Sequence, residues 1–323
     1  MSSFTFRPAR RENVPLLIGL AGGTGSGKTN SAMLLAKGLA NGKPFYGIDT
    51  ENGRMLHYAD DFDFRHGELH APFRPERYAD AIEAAIADAK EQRPVVVVDS
   101  FSHEHAGEGG LLDWQEEELE RMAGQDYAKR ERVKMAAWIR PKMSHKAMVN
   151  RLLQLPAHLI VCLRAEPKVD IVKNAQGKTE IVPKQSLVGL DGWIPIAEKN
   201  LPFELTASFL LMADRPGVPK PIKLPEQFKP FFPLDRPITE SAGRALGEWA
   251  AGGAPRMTAP ADDSGDGLSV AQLVARVKTN EVPTELVRET IAQLFPDADG
   301  AKSLTDVQRG AVWDALAGAV AGV

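Results

Sequence analysis

One stretch of eight residues carries the most specific chemical signal in the chain. Gly22-Gly23-Thr24-Gly25-Ser26-Gly27-Lys28-Thr29 satisfies the spacing G-x-x-x-x-G-K-[ST]. Glycines let a backbone wrap closely and turn its N–H groups toward phosphate oxygens. A lysine in the place of Lys28 supplies a cation for the β and γ phosphates, and the Thr29 hydroxyl is a ligand for Mg2+. The segment, with Asn30 beside it, is expected to bind ATP with Mg2+. Asp99 closes the run Val95-Val96-Val97-Val98. It is expected to hold the Mg2+ through water, opposite Thr29. Hydrolysis also needs a carboxylate to polarise the attacking water. Two candidates follow strand-like segments: Glu51, in Gly47-Ile48-Asp49-Thr50-Glu51, and Glu104, in Asp99-Ser100-Phe101-Ser102-His103-Glu104. The neighbours His103 and His105 read as solvated side chains rather than as metal ligands. There is no N-K-x-D motif of the kind that reads guanine.

The elements that must position these residues alternate between strand and helix. Pro15 to Gly22 reads as a buried strand and Lys28 to Ala40 as a helix with Ala32, Leu35, Ala36 and Leu39 on one face. Lys43 to Asp49 is a second strand, and Glu76 to Lys90 a helix carrying Tyr78, Ile82, Ala85, Ile86 and Ala89. Four consecutive valines predict a strand buried on both faces. His158 to Leu163 and Glu204 to Met212 are further strands, and Thr239 to Ala250 a closing helix. The alternation predicts an α/β fold with a mostly parallel sheet. Lys168 to Pro183 differs, because two alternating segments flank Asn174-Ala175-Gln176-Gly177 as in a β-hairpin.

Residues 1–13 form an N-terminal arm, and 14–251 the main domain. Residues 252–267, rich in Gly, Pro, Ala and Asp, form a linker. Residues 268–323 carry three short amphipathic helices. The first holds Val270, Leu273, Val274 and Val277. The second starts near Pro283 and holds Val287, Ile291 and Leu294. The third begins at Ser303, with Asp306 in a capping-box-like place, and holds Val307, Val312, Ala315 and Leu316. They suffice for a marginal mini-domain.

The 323 residues, net charge of −4 and 43% hydrophobic content are those of an ordinary globular protein. The single cysteine, Cys162, excludes a disulfide framework and a thiolate-rich metal cluster. Residues 1–13 lack the apolar stretch of a signal peptide, and no run reaches the roughly 18 apolar residues of a membrane span. A cytoplasmic protein without membrane contact is expected.

The chain resembles the RecA-like ATPases, in which an apolar-Asp-x-Glu signature follows the second strand. Ile48-Asp49-Thr50-Glu51 and Val97-Val98-Asp99-Ser100 carry the resemblance. Lys28 to Glu51 spans 23 residues and Glu51 to Asp99 spans 48, both close to that pattern. More narrowly, the chain is similar to phage-encoded RecA-like nucleotide-binding proteins, the Sak-type single-strand annealing ATPases, over about residues 14 to 250. The resemblance implies a RecA-like P-loop core and makes Glu51 the favoured base, with Glu104 the alternative. It places a phosphate-sensing polar residue, usually Gln, where this chain offers Arg164. That arginine either stabilises transition-state charge or pairs with Glu166. The resemblance also implies filament or ring assembly with ATP between subunits. Phe6-Arg7-Pro8-Ala9 fits the F-x-x-A element by which some recombinases dock their arm on a neighbour.

Charge is unevenly spread. Glu104 to Glu120 holds seven acids and neither Lys nor Arg, whereas Arg121 to Arg151 holds nine basic residues against two acids. In RecA-like proteins this region carries part of the DNA-facing surface. Lys129, Arg130, Arg140, Lys142 and Lys146 are therefore candidates for phosphate contact, and Trp138 for stacking on a base. The alternatives are that the basic helix pairs with the acidic one, that Trp138 is core, or that these cations serve a neighbouring subunit's ATP. The expected function is DNA-stimulated ATP hydrolysis on single-stranded DNA in phage-type recombination, with the C-terminal helices recruiting a phage or host recombination partner. The rivals are a P-loop small-molecule kinase and a non-catalytic, nucleotide-switched assembly or loader module.

Overall fold

The computed structural model describes residues 9, 11–90, 93–173, 177–186, 189–252, 268–279, 282–295, 298 and 300–320. The chain divides into two compact units, Met1–Arg256 and Met257–Val323. Residues 1–8 and 10 of the expected arm, including Phe6 to Pro8, and residues 253–267 of the expected linker lie outside the described residues.

The first unit is α/β with a mostly parallel central sheet. In chain order its elements are β1 (Leu17–Gly22), α1 (Lys28–Ala40), β2 (Phe45–Asp49), β3 (Phe64–Glu68), α2 (Pro75–Asp88) and β4 (Val95–Asp99). There follow α3 (His103–Ala106), α4 (Leu111–Ala123), α5 (Tyr127–Ala137), α6 (Ile139–Leu152), β5 (His158–Pro167), β6 (Val169–Lys173) and β7 (Thr179–Pro183). Next come β8 (Trp193–Pro195), α7 (Leu201–Glu204), β9 (Ala207–Met212), β10 (Arg215–Lys223) and α8 (Glu240–Ala250). The sheet runs β10-β9-β1-β5-β4-β2-β3, with β8 pairing antiparallel to the end of β5. All neighbours from β9 to β3 are parallel, and only β10 runs against β9. The expected hairpin is present as the antiparallel pair β6–β7, a separate two-stranded sheet. Its turn residues 174–176 lie outside the described residues.

Apolar side chains explain the layering. Val95 and Val97 enter one core with Ile18, Leu20, Ile160 and the inner faces of α1 and α8. Val96 and Val98 enter the opposite core with Ile48, Val161, Tyr78 of α2 and Met148 of α6. The valine strand is thus buried on both faces, as its composition requires. Helix α1 lies so close to α8 that a Cβ at Gly38 would collide with the Glu240 carbonyl. At the two edges of the sheet, β3 and β10 lack the apolar runs of the strands between them, β10 carrying three prolines.

The second unit contains α9 (Val270–Thr279), α10 (Thr284–Leu294) and α11 (Asp306–Val320). Leu273, Ile291, Val312 and Leu316 are buried, whereas Val274, Leu294 and Ala315 remain exposed; the side chain of Val307 lies outside the described residues. The third helix does not start at Ser303. Thr305 and Gln308 form its reciprocal cap, the Gln308 N–H donating to Thr305 Oγ1 and the Thr305 N–H to Gln308 Oε1. The buried Arg309 guanidinium donates to the Leu268, Ala301 and Leu304 carbonyls and pairs with Asp306. Among the described residues, no helix is long and apolar enough to cross a membrane.

Candidate functional site

The C-terminal ends of four adjacent strands build the site. Gly22 at the end of β1 lies in register with Arg164 on β5, and Asp49 on β2 with Asp99 on β4. Parallel pairing therefore delivers the glycine loop, the arginine and both aspartates to one edge of the sheet.

Gly23 to Gly27 links β1 to α1. Gly27 has φ 80°, a left-handed conformation that disfavours a side chain, and a Cβ there would lie 2.9 Å from the Gly217 nitrogen. Gly217 braces the loop by donating its N–H to the Ser26 carbonyl at 2.9 Å. Inside the loop, Ser26 Oγ and Lys28 Nζ both donate to the Gly23 carbonyl, at 2.9 and 2.8 Å. No side chain caps α1, and no acid stands in its first turn. Its leading N–H groups are thus left for an anion. Thr24, Gly25 and Asn30 are exposed along the loop and the helix start.

Thr29 Oγ1 donates to Asp99 Oδ2 at 2.6 Å. Burial pushes the Asp99 carboxyl up to about 6. Asp49 is occupied with structure, since its carboxylate accepts the Glu51 N–H at 2.6 Å and the Met55 N–H at 2.8 Å. Those bonds fix the segment that carries Glu51. Glu51 Oε1 accepts from Arg164 Nε and Nη2, at 3.2 and 2.5 Å, and its Oε2 accepts from Arg54 Nη1 at 2.8 Å. Burial raises the Glu51 carboxyl, but the bond and charge of Arg164, with Arg54, outweigh it and hold the group below its ordinary value. Arg164 therefore pairs with Glu51 and not with Glu166, which pairs with Lys168 at 3.2 Å.

Glu104, the alternative base, has partners of its own. Its carboxylate is buried and lies 2.8 Å from His145 Nδ1 of α6, and His145 Nε2 lies 3.8 Å from Glu198. Burial raises the Glu104 carboxyl; the Glu104 hydrogen bond and charge outweigh burial at His145 and raise it as well. The carboxylate expected as an alternative base is thus already engaged by a buried histidine. The two histidines also differ from the solvated reading. His103 Nδ1 lies 2.8 Å from Thr50 Oγ1 and its ring 5.0 Å from Phe73, while His105 Nδ1 is buried without a hydrogen-bond partner among the described residues. Burial lowers both histidines, aided at His103 by the charge of Arg164. No cluster of three or more His, Cys, Asp or Glu suited to a metal occurs among the described residues.

The basic segment divides. Arg130 pairs with Glu116 and Glu120, and Arg140 and Arg121 with Glu118, so acidic α4 takes up the arginines packed on it. Arg151 pairs with Asp80 and Glu83 of α2. Arg130 and Arg140, expected as candidate nucleic-acid contacts, are thus engaged in intramolecular ion pairs. Lys129, Lys142 and Lys146 are exposed and have no ion pair among the described residues. Trp138 is half-buried between α5 and α6, with Lys142 Nζ 5.5 Å from its ring centroid. Tyr127, Met135, Ile139 and Met143 are exposed on the same two helices.

Sequence reasoning missed Arg54, Gly217 and Trp193, whose ring edge lies against Gly23. Arg54 reaches Glu51 across a tight turn through Asn52 and Gly53, both with positive φ, a geometry that no local spacing announced. Gly217 and Trp193 come from distant segments and left no local signal. In comparisons with known proteins, no family model matches the chain, and no curated protein matches it.

Proposed function

We propose that the chain is a RecA-like, Mg2+-dependent ATPase acting on single-stranded DNA in phage-type recombination, annealing or repair. The observation that carries this reading is the convergence of Lys28, Thr29, Asp99, Glu51 and Arg164 at one sheet edge. The strand order supports a RecA-like core, because β5 lies between β1 and β4 and so carries Arg164 to a place between the loop and Asp99. The donor set fits Mg·ATP: an uncapped helix start, a lysine folded over the loop, and a hydroxyl paired with a buried carboxylate. Lys28 would balance the β and γ phosphates, while Thr29 and Asp99 would hold the Mg2+. When bound, that ion neutralises charge on the phosphate oxygens. Glu51 accepts a proton from water as the water oxygen bonds to the γ phosphorus and the β–γ bridging bond breaks. Arg164 supplies positive charge where negative charge develops on the phosphoryl oxygens.

Lys129, Lys142 and Lys146, with the Trp138 edge, are the surface for single-stranded DNA. The exposed apolar side chains among them suit a face that meets another macromolecule. A filament or ring of this chain, and recruitment of a recombination partner by α9 to α11, belong to the same reading. The test is ATP hydrolysis by the full chain, with and without Mg2+ and an oligothymidine strand. Turnover that requires Mg2+ and rises with DNA supports it. Phosphoryl transfer to a small acceptor, indifferent to DNA, favours the kinase. Nucleotide-dependent assembly with negligible turnover favours the loader module.

A further inference from the structure

We propose that Arg164 is a phosphate-sensing latch on Glu51, holding the carboxylate until the γ-phosphate of a bound nucleoside triphosphate draws the guanidinium away. The inference rests on reading this site as a nucleotide site and adds how its base is controlled.

The ion pair occupies the carboxylate. Two guanidinium nitrogens of Arg164 bear on Oε1, and Arg54 takes Oε2. A carboxylate oxygen has two lone-pair directions, so Oε1 has little capacity left to receive a water. As found, Glu51 is placed for catalysis but engaged by its own neighbours.

The two partners differ in freedom. The Glu51 side chain is 11% exposed and that of Arg164 47% exposed. The Glu51 backbone is tied to Asp49 Oδ1, and the Arg164 backbone donates to Ser102 Oγ at 2.8 Å while its carbonyl accepts from Ile196. Only the arginine side chain has both open space and slack, so it is the part that changes partner. It starts from the right place, because Arg164 lies in register with the first glycine of the loop.

Chemistry decides what makes it move. A guanidinium fork binds carboxylate and phosphate oxygens with the same two-pronged geometry. A γ-phosphate offers more negative charge and three oxygens. A diphosphate lacks that group and leaves the pair intact, so the base stays engaged once product has formed. A ligand can shift this equilibrium only by the difference in its affinity for the two states. Part of the triphosphate's binding energy is therefore spent opening the pair. The titratable groups acting on Glu51 are Arg164 of β5, Arg54, His103 of α3 and Asp99 of β4, while the Cys162 thiol of β5, pushed up by burial, stays neutral. Of the two arginines bonded to Glu51, Arg164 is the one in register with the loop.

The experiment is a double-mutant cycle on nucleotide affinity, measured by calorimetry on the full chain with Mg2+. The ligands are ADP and the slowly hydrolysed adenosine 5′-(γ-thio)triphosphate, and the proteins are the parent, Glu51→Gln, Arg164→Gln and the double variant. The latch predicts that Glu51→Gln tightens the triphosphate analogue about three- to tenfold, leaves ADP unchanged, and loses that gain when Arg164 is also replaced. If Arg164→Gln is unstable by melting temperature, Arg164→Met completes the cycle. An unchanged analogue affinity in Glu51→Gln overturns the latch, as does equal tightening of ADP. Tightening that persists without Arg164 also overturns it, because simple repulsion between Glu51 and phosphate then accounts for the effect. A parent chain that binds neither ligand overturns the nucleotide site itself.

Discussion

Thr29 and Asp99 stand 70 positions apart in sequence and meet through one hydrogen bond of 2.6 Å from hydroxyl to carboxylate. That contact joins the first turn of α1 to the end of β4. It turns two separate motifs into one site, with the glycine loop on one side and the Glu51–Arg164 pair on the other. Asp99 is almost fully buried, and burial, with the neighbouring Glu51 and Asp49 carboxylates, raises its carboxyl against the Thr29 hydrogen bond and the Lys28 charge.

Glu51→Gln should keep nucleotide binding and lose turnover by about a hundredfold or more, because an amide cannot accept the water's proton. Glu104→Gln should show the reverse. It alters a buried partner of His145 and should cost about 1–3 kcal/mol of stability while ATP turnover persists. Steady-state hydrolysis and denaturant unfolding of both variants decide the matter. Loss of turnover confined to the Glu104 variant would exchange the two assignments.

The ion pairs on α4 sort the basic residues into two groups that salt titration can separate. Replacing Lys129, Lys142 and Lys146 together by Gln should flatten the slope of log affinity for single-stranded DNA against log salt by about 0.7 per lost phosphate contact. Replacing Arg130 and Arg140 should lower stability slightly and leave that slope alone, since exposed ion pairs each contribute about 0–1 kcal/mol. Equal slopes for the parent and the triple-lysine variant would place the nucleic acid elsewhere.

His158 gives stability a predictable pH dependence. It is buried at the start of β5, its Nδ1 has no hydrogen-bond partner among the described residues, and burial with the nearby charge of Arg93 lowers it to about 4. The unfolded chain binds a proton at this residue near pH 6.5 and the folded chain does not. Stability should therefore fall as pH drops from about 6.5 toward 4, with this residue contributing about 2 kcal/mol of the loss by pH 5. Denaturant unfolding at pH 7.5 and pH 5 should show a smaller drop for His158→Gln than for the parent. Equal drops would show that the imidazole is protonated in the fold.

What could be read from the sequence was local. The glycine loop, the valine strand closed by Asp99, helix α1 and the β6–β7 hairpin all declare themselves through short spacing or periodicity. Strand β3 did not, because Phe64-Arg65-His66-Gly67-Glu68 is a half-exposed edge with no apolar run. Neither did β10, since its prolines read as loop and are tolerated only where no further strand pairs. The third C-terminal helix was misplaced by two or three residues because Ser303 and Asp306 mimic the cap that Thr305 and Gln308 make. The finer site depended on tertiary register. Nothing near Arg164 in sequence announces that it faces Glu51, and nothing near Arg130 or Arg140 announces that α4 takes up their charge. Composition reveals a basic segment; only packing reveals which cations remain available.

The most direct test is Mg2+-dependent ATP binding by the parent chain and by Lys28→Ala, measured side by side with their melting temperatures. Among the described residues, Lys28 Nζ hydrogen-bonds to the loop's own Gly23 carbonyl, and the side chain adds nothing to either apolar core. The account predicts saturable binding by the parent, loss of about tenfold or more in affinity for the variant, and nearly equal melting temperatures. Undiminished binding by a folded Lys28→Ala variant would contradict it.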